Sequence, residues 1–157
     1  SQFGKCPMAS YDNRYYLVFN GEIYNWRRLK SDLIKLGYKF HSECDSEVVL
    51  NGYHAWNEKL LDKIEGMYAI AIWDHIDKVL FLSVDRMGEK PIYFHSGKDS
   101  FIFGSNPTTL TQCLKEKTID NLAVANFLSH GYLSKNITIW KEVKRLLPGT
   151  YLKKKNG

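Results

Sequence analysis

The sequence has few of the features that mark secreted, membrane-spanning or metal-stabilised proteins. It contains 3 cysteines, Cys6, Cys44 and Cys113, and an odd, widely spaced set argues against a disulfide framework or a zinc site. No apolar run approaches the roughly 18 residues that cross a bilayer, and no basic-then-apolar start marks a signal peptide. Repeats and low-complexity stretches are also absent. These absences predict a protein of the reducing cytoplasm, without a membrane partner.

The charge distribution gives little reason to expect nucleic-acid binding. The chain of 157 residues has a net charge of +5, and its basic residues gather towards the C-terminal end, from Lys141 to Lys155. A nucleic-acid surface would interleave such residues with aromatic side chains on one face. Here they flank a Leu-Leu-Pro-Gly turn, so we interpret them as a solvated or interface-facing edge with no nucleic-acid partner.

The apolar residues suffice for one domain with a core, since they make up 44% of the chain against 25% charged residues. Apolar spacing predicts helices at 26–36, 45–56, 106–114 and 121–130. Short β-favouring runs predict strands at 15–19, 39–41, 67–73, 79–84, 91–95, 100–103 and 150–154. Early helices, then hairpins, then helices again indicate the α+β class.

The dipeptide Asn20-Gly21 has two interpretations. After an apolar strand, Asn-Gly is a favoured two-residue hairpin turn, and the dipeptide alone favours that interpretation. The alternative is an oxyanion hole, in which the Asn side-chain amide and the Gly backbone N–H both donate to one small oxygen. Glycine suits this role because it lets the backbone approach closely.

The acidic segment Glu43–Glu47 is also open to two interpretations. Asp45 stands where a helix begins, and a carboxylate there complements the helix dipole and caps free N–H groups. The functional alternative is a carboxylate that accepts a substrate ammonium. Cys44 has His41 nearby, but this spacing alone does not make a dyad, and we interpret the cysteines as unreactive. The run Asp85–Pro91 reads by itself as a charged loop between strands.

Taken together, these segments resemble the class II glutamine amidotransferase domain of asparagine synthetases. Asn20–Asn25 (Asn-Gly-Glu-Ile-Tyr-Asn) is similar to the family's glutamine-site signature, and Ser42–Glu47 to its acidic Ser-Asp-x-Glu segment. Further similar stretches follow in the family's order at Gly66–Asp74, Asp85–Tyr93 and Thr138–Leu152. The resemblance covers nearly the whole chain, so we take 1–157 as one partial domain and expect a synthetase domain after Gly157.

The resemblance implies a four-layer αββα sandwich of the N-terminal-nucleophile hydrolase type, incomplete at the N-terminus. A cysteine would attack the side-chain amide of glutamine, ammonia would leave, and water would release glutamate. Asn20 and Gly21 would form the oxyanion hole, Glu22 would shape the pocket, and Asp45 would hold the α-ammonium of glutamine. No metal or cofactor is expected in this domain; ATP and magnesium would serve the synthetase domain, which aminates aspartate.

The family's nucleophilic N-terminal cysteine and an Arg-rich segment do not occur in the 157 residues, and we expect them upstream. The chain alone should then lack glutaminase activity and, with unpaired sheet edges, associate, for instance as a homodimer. One alternative is a non-catalytic amidotransferase-like module that binds or regulates a partner. Another is catalysis by Ser1 through its own α-amine. Val84, where the family usually has Arg, leaves open amination of a carboxylate other than aspartate.

Overall fold

Two antiparallel sheets lie between helices. The computed structural model describes residues 6–98, 100–133 and 136–155. The strands are β1 Met8–Ala9, β2 Tyr15–Ile23, β3 Gly66–Asp74, β4 Val79–Val84, β5 Tyr93–Ser96, β6 Phe101–Gly104, β7 Lys144–Arg145 and β8 Tyr151–Lys155. The helices are α1 Trp26–Lys35, α2 Asp45–Trp56, α3 Pro107–Gln112 and α4 Asn121–His130, with a 3-10 helix at Asn57–Asp62.

The first sheet has five strands in the order β1-β2-β3-β4-β8, and the second has three in the order β6-β5-β7. β2 pairs with β3 along its whole length, and β3 and β4 form the hairpin that their sequence predicts. β1 is short and pairs only with Tyr16 and Leu17 of β2. Within the described part of the chain, the edge of β2 beyond Leu17 therefore carries no neighbouring strand.

Two apolar layers hold these elements together. One lies between the first sheet and the helices α1 and α2, and the other lies between the two sheets. β3 contributes to both, because alternate residues of a strand point to opposite faces: Ile70 and Ile72 enter the first layer, and Ala69 and Ala71 enter the second. With α3 packed on β5 and β6, the layers run α-β-β-α, which confirms the expected sandwich.

Local sequence explains where the helices begin and end. The side chain of Asn106 accepts backbone N–H groups at the start of α3, and that of Asp120 does the same for α4, as N-cap residues do. α4 ends at Gly131 in the left-handed conformation, the common helix stop. α2 differs from these, because its N-cap residue, Cys44, makes no side-chain capping bond.

The predicted strand at 39–41 is wrong. This segment is a loop in which Lys39 and His41 are exposed; its backbone bonds go to side chains of α2 rather than to another strand, namely to Asn51 and Glu47. Periodicity could not reveal this, because a strand needs a partner that the short apolar run does not itself specify. Among the described residues, no helix is long and apolar enough to cross a membrane.

Candidate active site

Asn20 and Gly21 lie inside β2, so the hairpin-turn interpretation is wrong. Asn20 is opposite Ala69 and Gly21 is opposite Tyr68, and the pairing continues to Ile23. The predicted strand at 15–19 was too short by four residues at this end. The dipeptide is thus held by β3 in an extended conformation, and its polar groups are free for a purpose other than turning the chain.

The backbone N–H of Gly21 points away from β3. The partner residue Tyr68 donates its N–H to Oδ2 of Asp85 (3.2 Å) and accepts the N–H of Asp85 at its carbonyl oxygen (2.9 Å). In an antiparallel ladder, hydrogen-bonded and non-hydrogen-bonded pairs alternate, so Gly21 and Tyr68 form a non-hydrogen-bonded pair. The N–H of Gly21 is therefore directed to the free edge of β2, beyond the end of β1.

Glycine is required at position 21 for steric reasons. Its φ is 150°, in a region that residues with a side chain rarely adopt. A Cβ atom there would overlap the carbonyl oxygen of Met67 and lie 2.7 Å from Cα of Tyr68, closer than non-bonded atoms approach. The two strands are thus close enough to fix the position of the Gly21 N–H.

Asp45 is brought to the same edge of β2. It is the first residue of α2, and its Oδ2 accepts the backbone N–H of Ile23 at 3.0 Å. Ile23 is two residues beyond Gly21, so both N–H groups point the same way, about 7 Å apart along the strand. The local interpretation predicted that the Asp45 side chain caps α2. Instead, this side chain joins the helix to the strand that carries Asn20-Gly21.

Asn20 and Glu22 share one face of β2, opposite to the face that packs on the helices. Both side chains are exposed, and no hydrogen bond from another described residue reaches either of them. Val18, on the same face, is 46% exposed, so this face of the strand is open here. Asn20 can therefore offer its amide to a ligand beside the Gly21 N–H.

Glu47 is a polar residue of the site whose contacts the sequence did not reveal. Its Oε1 accepts the N–H of His41 (2.8 Å), and its Oε2 accepts the N–H (2.8 Å) and the hydroxyl (2.6 Å) of Ser42. These bonds fold the loop that leads into Asp45. The signal for such a contact was a glutamate in the third position of a helix, which usually reaches back towards the N-cap.

Asp85 is the other carboxylate whose role the sequence did not reveal. It is 2% exposed and accepts four backbone N–H groups, those of Tyr68, Met87, Glu89 and Lys90. Burial alone would raise the pKa of Asp85, but these backbone N–H groups outweigh burial and lower it. The charged carboxylate thereby fixes the loop 85–90 and the strand that lies behind Gly21.

A cleft of about 760 Å³ lies beside this region, between β1, the loop that follows α1, and α2. Ser42 and Glu47 line this cleft, whereas Asn20, Gly21 and Asp45 do not. The cleft is therefore separate from the polar groups that converge at the edge of β2.

The cysteines have no activating partner in the contacts that the structure records. Cys6 and Cys113 are exposed. Cys44 is half-buried, and its thiol donates to Oδ1 of Asp45 (3.6 Å) and Oγ of Ser46 (3.3 Å) rather than to a histidine. Ser1, the other nucleophile considered from the sequence, lies outside the described residues.

Sequence comparison relates the chain to amidotransferases. A family model described as the glutamine amidotransferase domain matches residues 1–157. Asparagine synthetase [glutamine-hydrolyzing] 1 of Bacillus subtilis (strain 168) is 33% identical over 94% of this chain and 23% of its own length. A putative asparagine synthetase [glutamine-hydrolyzing] of Mycobacterium tuberculosis (strain ATCC 25618 / H37Rv) is 33% identical over 88% of the chain and 22% of its own length. The chain thus spans about a quarter of these relatives.

Structural comparison supports the same fold. The B. subtilis glutamine phosphoribosylpyrophosphate amidotransferase, complexed with ADP and GMP, matches with a TM-score of 0.56 and 21% identity, over 66% of this chain and 24% of its own. A structure described as the allosteric regulatory enzyme of purine biosynthesis matches with a TM-score of 0.60 and 19% identity, over 94% of this chain and 28% of its own. At such identities the likeness concerns the fold alone, and it confirms the expected amidotransferase sandwich.

Proposed function

Because this chain belongs to the glutamine amidotransferase domain family, we propose that Asn20, Gly21 and Asp45 form the glutamine site of a glutaminase domain. The observation that carries the proposal is the shared edge of β2. The Gly21 N–H and the Ile23 N–H, which the Asp45 carboxylate accepts, point to the same side, about 7 Å apart along the strand. Such a spacing suits the two polar ends of one amino acid, a side-chain carbonyl at one end and an α-ammonium group at the other.

Asn20 and Gly21 donate hydrogen bonds to the carbonyl oxygen of the glutamine side chain. When a nucleophile adds to this carbon, the oxygen gains negative charge, and donors already in position stabilise it. Gly21 offers a backbone N–H on a strand that β3 holds close, and Asn20 offers its side-chain amide from the adjacent residue. Neither donor has to break a bond that the structure records, so little reorganisation opposes the charge as it develops.

Asp45 binds the other end of the substrate. One carboxylate oxygen accepts the Ile23 N–H. The other, Oδ1, accepts a hydrogen bond from the Cys44 thiol at 3.6 Å and from no other described residue, so it is available for the α-ammonium group. A charge-assisted bond of this kind selects an amino acid over a simple amide. Glu22, exposed and on the same face as Asn20, borders the pocket.

We assign binding and charge stabilisation to Asn20, Gly21 and Asp45. The resemblance implies that an N-terminal cysteine is the nucleophile. The carbonyl carbon would be attacked from the open face of β2, where Asn20 is exposed. The thioester and its hydrolysis by water are what the family resemblance implies for the steps that follow.

We place the domain in a larger asparagine-synthetase-like ligase, since the relatives are about four times longer than the matched segment. Its ammonia would pass to an ATP- and magnesium-using synthetase domain that aminates aspartate or another carboxylate. Three free cysteines agree with our proposal of a reducing cytoplasmic setting. We also expect two copies to associate, and a measurement of the molecular mass in solution tests this expectation.

The test is glutamine turnover by the full-length protein. Glutamate and ammonia should form in equal amounts from glutamine. Asparagine, one methylene shorter, should be hydrolysed far more slowly because its amide cannot reach Asn20 while its ammonium binds Asp45. If amination of an acceptor proceeds with free ammonium but glutamine releases no glutamate, the domain is the non-catalytic module instead, and the proposal fails.

A further inference from the structure

We propose that Glu47 is a positioning residue that fixes Asp45 for the α-ammonium group of the substrate. This inference rests on the proposed function, because it presumes that Asp45 receives that group. Glu47 itself faces the loop 41–44 rather than the edge of β2. Its effect on the substrate would be indirect, through the backbone that leads into α2.

Both carboxylate oxygens of Glu47 are used on this loop. Oε1 accepts the His41 N–H, and Oε2 accepts both the N–H and the hydroxyl of Ser42, all within 2.6–2.8 Å. Three donors from two consecutive residues define the orientation of the loop far more narrowly than one bond would. Bonds of this length to a charged acceptor are among the stronger ones in proteins.

The Ser42 hydroxyl transmits this order to Asp45. It donates to Glu47 and also accepts the backbone N–H of Cys44 at 3.3 Å. Cys44 is the N-cap of α2, and Asp45 follows it directly. The Cys44 side chain makes no capping bond, so the bonds from Glu47 through Ser42 to Cys44 hold the backbone at this helix start. From this backbone the Asp45 side chain reaches the Ile23 N–H.

Lys30 supports the loop from the opposite side. Its Nζ donates to the Ser42 carbonyl (2.9 Å) and to Oε1 of Glu43 (2.6 Å), and it lies 5.1 Å from the ring centroid of Phe40. The Lys30 side chain is 14% exposed, whereas that of Glu43 is 80% exposed. The loop is thus held by α1 and α2 together, and Glu43 offers a matched control, a carboxylate on the same loop without a bond to its backbone.

The experiment compares Glu47→Gln, Glu47→Ala and the control Glu43→Ala in glutamine hydrolysis by the full-length protein. A displaced Asp45 weakens binding of the α-ammonium group, so KM for glutamine should rise about 10-fold or more in Glu47→Ala. Glu47→Gln keeps one acceptor oxygen, so its KM for glutamine should rise less than that of Glu47→Ala. Asn20 and Gly21 are untouched, so kcat should stay within about twofold, and Glu43→Ala should match the wild type.

A double-mutant cycle separates positioning from a purely structural role. If Glu47 acts through Asp45, Glu47→Gln should add little in an Asp45→Asn background, because the group that it positions has already been changed. Ser42→Ala, which removes only the bridging hydroxyl, should raise KM in the same direction by a smaller factor. This milder variant keeps the test decisive if Glu47→Ala does not fold.

The outcomes distinguish this inference from the proposed function. A wild-type protein without glutamine hydrolysis overturns the proposed function, and this inference with it. A normal wild type with unchanged KM in Glu47→Gln and Ser42→Ala overturns the role of Glu47 alone. The same holds if kcat falls while KM stays constant, or if the effects of Glu47→Gln and Asp45→Asn are additive.

Discussion

Replacing Gly21 by alanine should damage both the fold and the site. The φ of 150° costs a residue with a side chain about 1–3 kcal/mol. The new Cβ, 2.7 Å from Cα of Tyr68, adds about 1–3 kcal/mol of overpacking, because the obstacle is backbone of β3 and cannot rotate away. The sum, about 2–6 kcal/mol, is a large part of the roughly 5–15 kcal/mol that stabilises a domain.

The assay is thermal unfolding of the chain, with Gly37→Ala as the matched control. Gly37 also has a positive φ, 93°, but a Cβ there would have no atom of the described residues within 4 Å, so this variant pays only the backbone strain of about 1–2 kcal/mol. At about 2–4 °C per kcal/mol for a chain of this size, Gly21→Ala should lower the melting temperature by about 4–24 °C, and Gly37→Ala by about 2–8 °C. Equal melting temperatures for the two variants would refute the close approach of β2 and β3.

Two further substitutions test the carboxylates. Asp85→Asn should lower the free energy of unfolding at neutral pH by about 2–4 kcal/mol, since an amide cannot accept all the N–H groups that the carboxylate does. The pKa of Asp85 in the folded chain lies below its ordinary value of 3.8, so its contribution is present above that pH and lost as pH falls through the lowered pKa. Denaturant unfolding should therefore show the wild type and Asp85→Asn converging at acid pH, and a constant difference would contradict the assignment. Asp45→Asn should raise KM for glutamine about 10- to 100-fold, from the loss of a charge-assisted bond, and steady-state hydrolysis with unchanged KM would count against an ammonium site.

The sequence was sufficient to predict most helices and strands, but not which strands pair with each other. α2, β4 and α4 have the predicted bounds, because their apolar spacing and end signals are local. The predicted strand at 39–41 was wrong and the predicted end of β2 was too early. Both errors concern a partner strand. The segment 39–41 bonds to side chains of α2 and not to a strand, whereas β3 pairs with β2 as far as Ile23.

The candidate site illustrates the same limit. Asn-Gly favours a turn when only neighbouring residues count, and pairing with β3 over the whole of β2 overrides that preference. The family resemblance named Asn20, Gly21 and Asp45 together, but it did not indicate that Asp45 bonds to the Ile23 N–H. No pattern revealed the buried Asp85, whose carboxylate bonds to backbone groups that a sequence does not display. The position of Glu47 in the first turn of α2 was a signal for a contact near the helix start, but it did not identify His41 and Ser42 as the partners.

The role of Asn20 is the most direct test of the glutamine site. In the full-length protein, Asn20→Ala should lower kcat for glutamine hydrolysis about 10²–10³-fold, with acceptor amination from free ammonium unchanged. The control is Val18→Ala, on the same exposed face of β2, which should hydrolyse glutamine at the wild-type rate. If Asn20→Ala hydrolyses glutamine as fast as Val18→Ala does, Asn20 and Gly21 do not form an oxyanion hole.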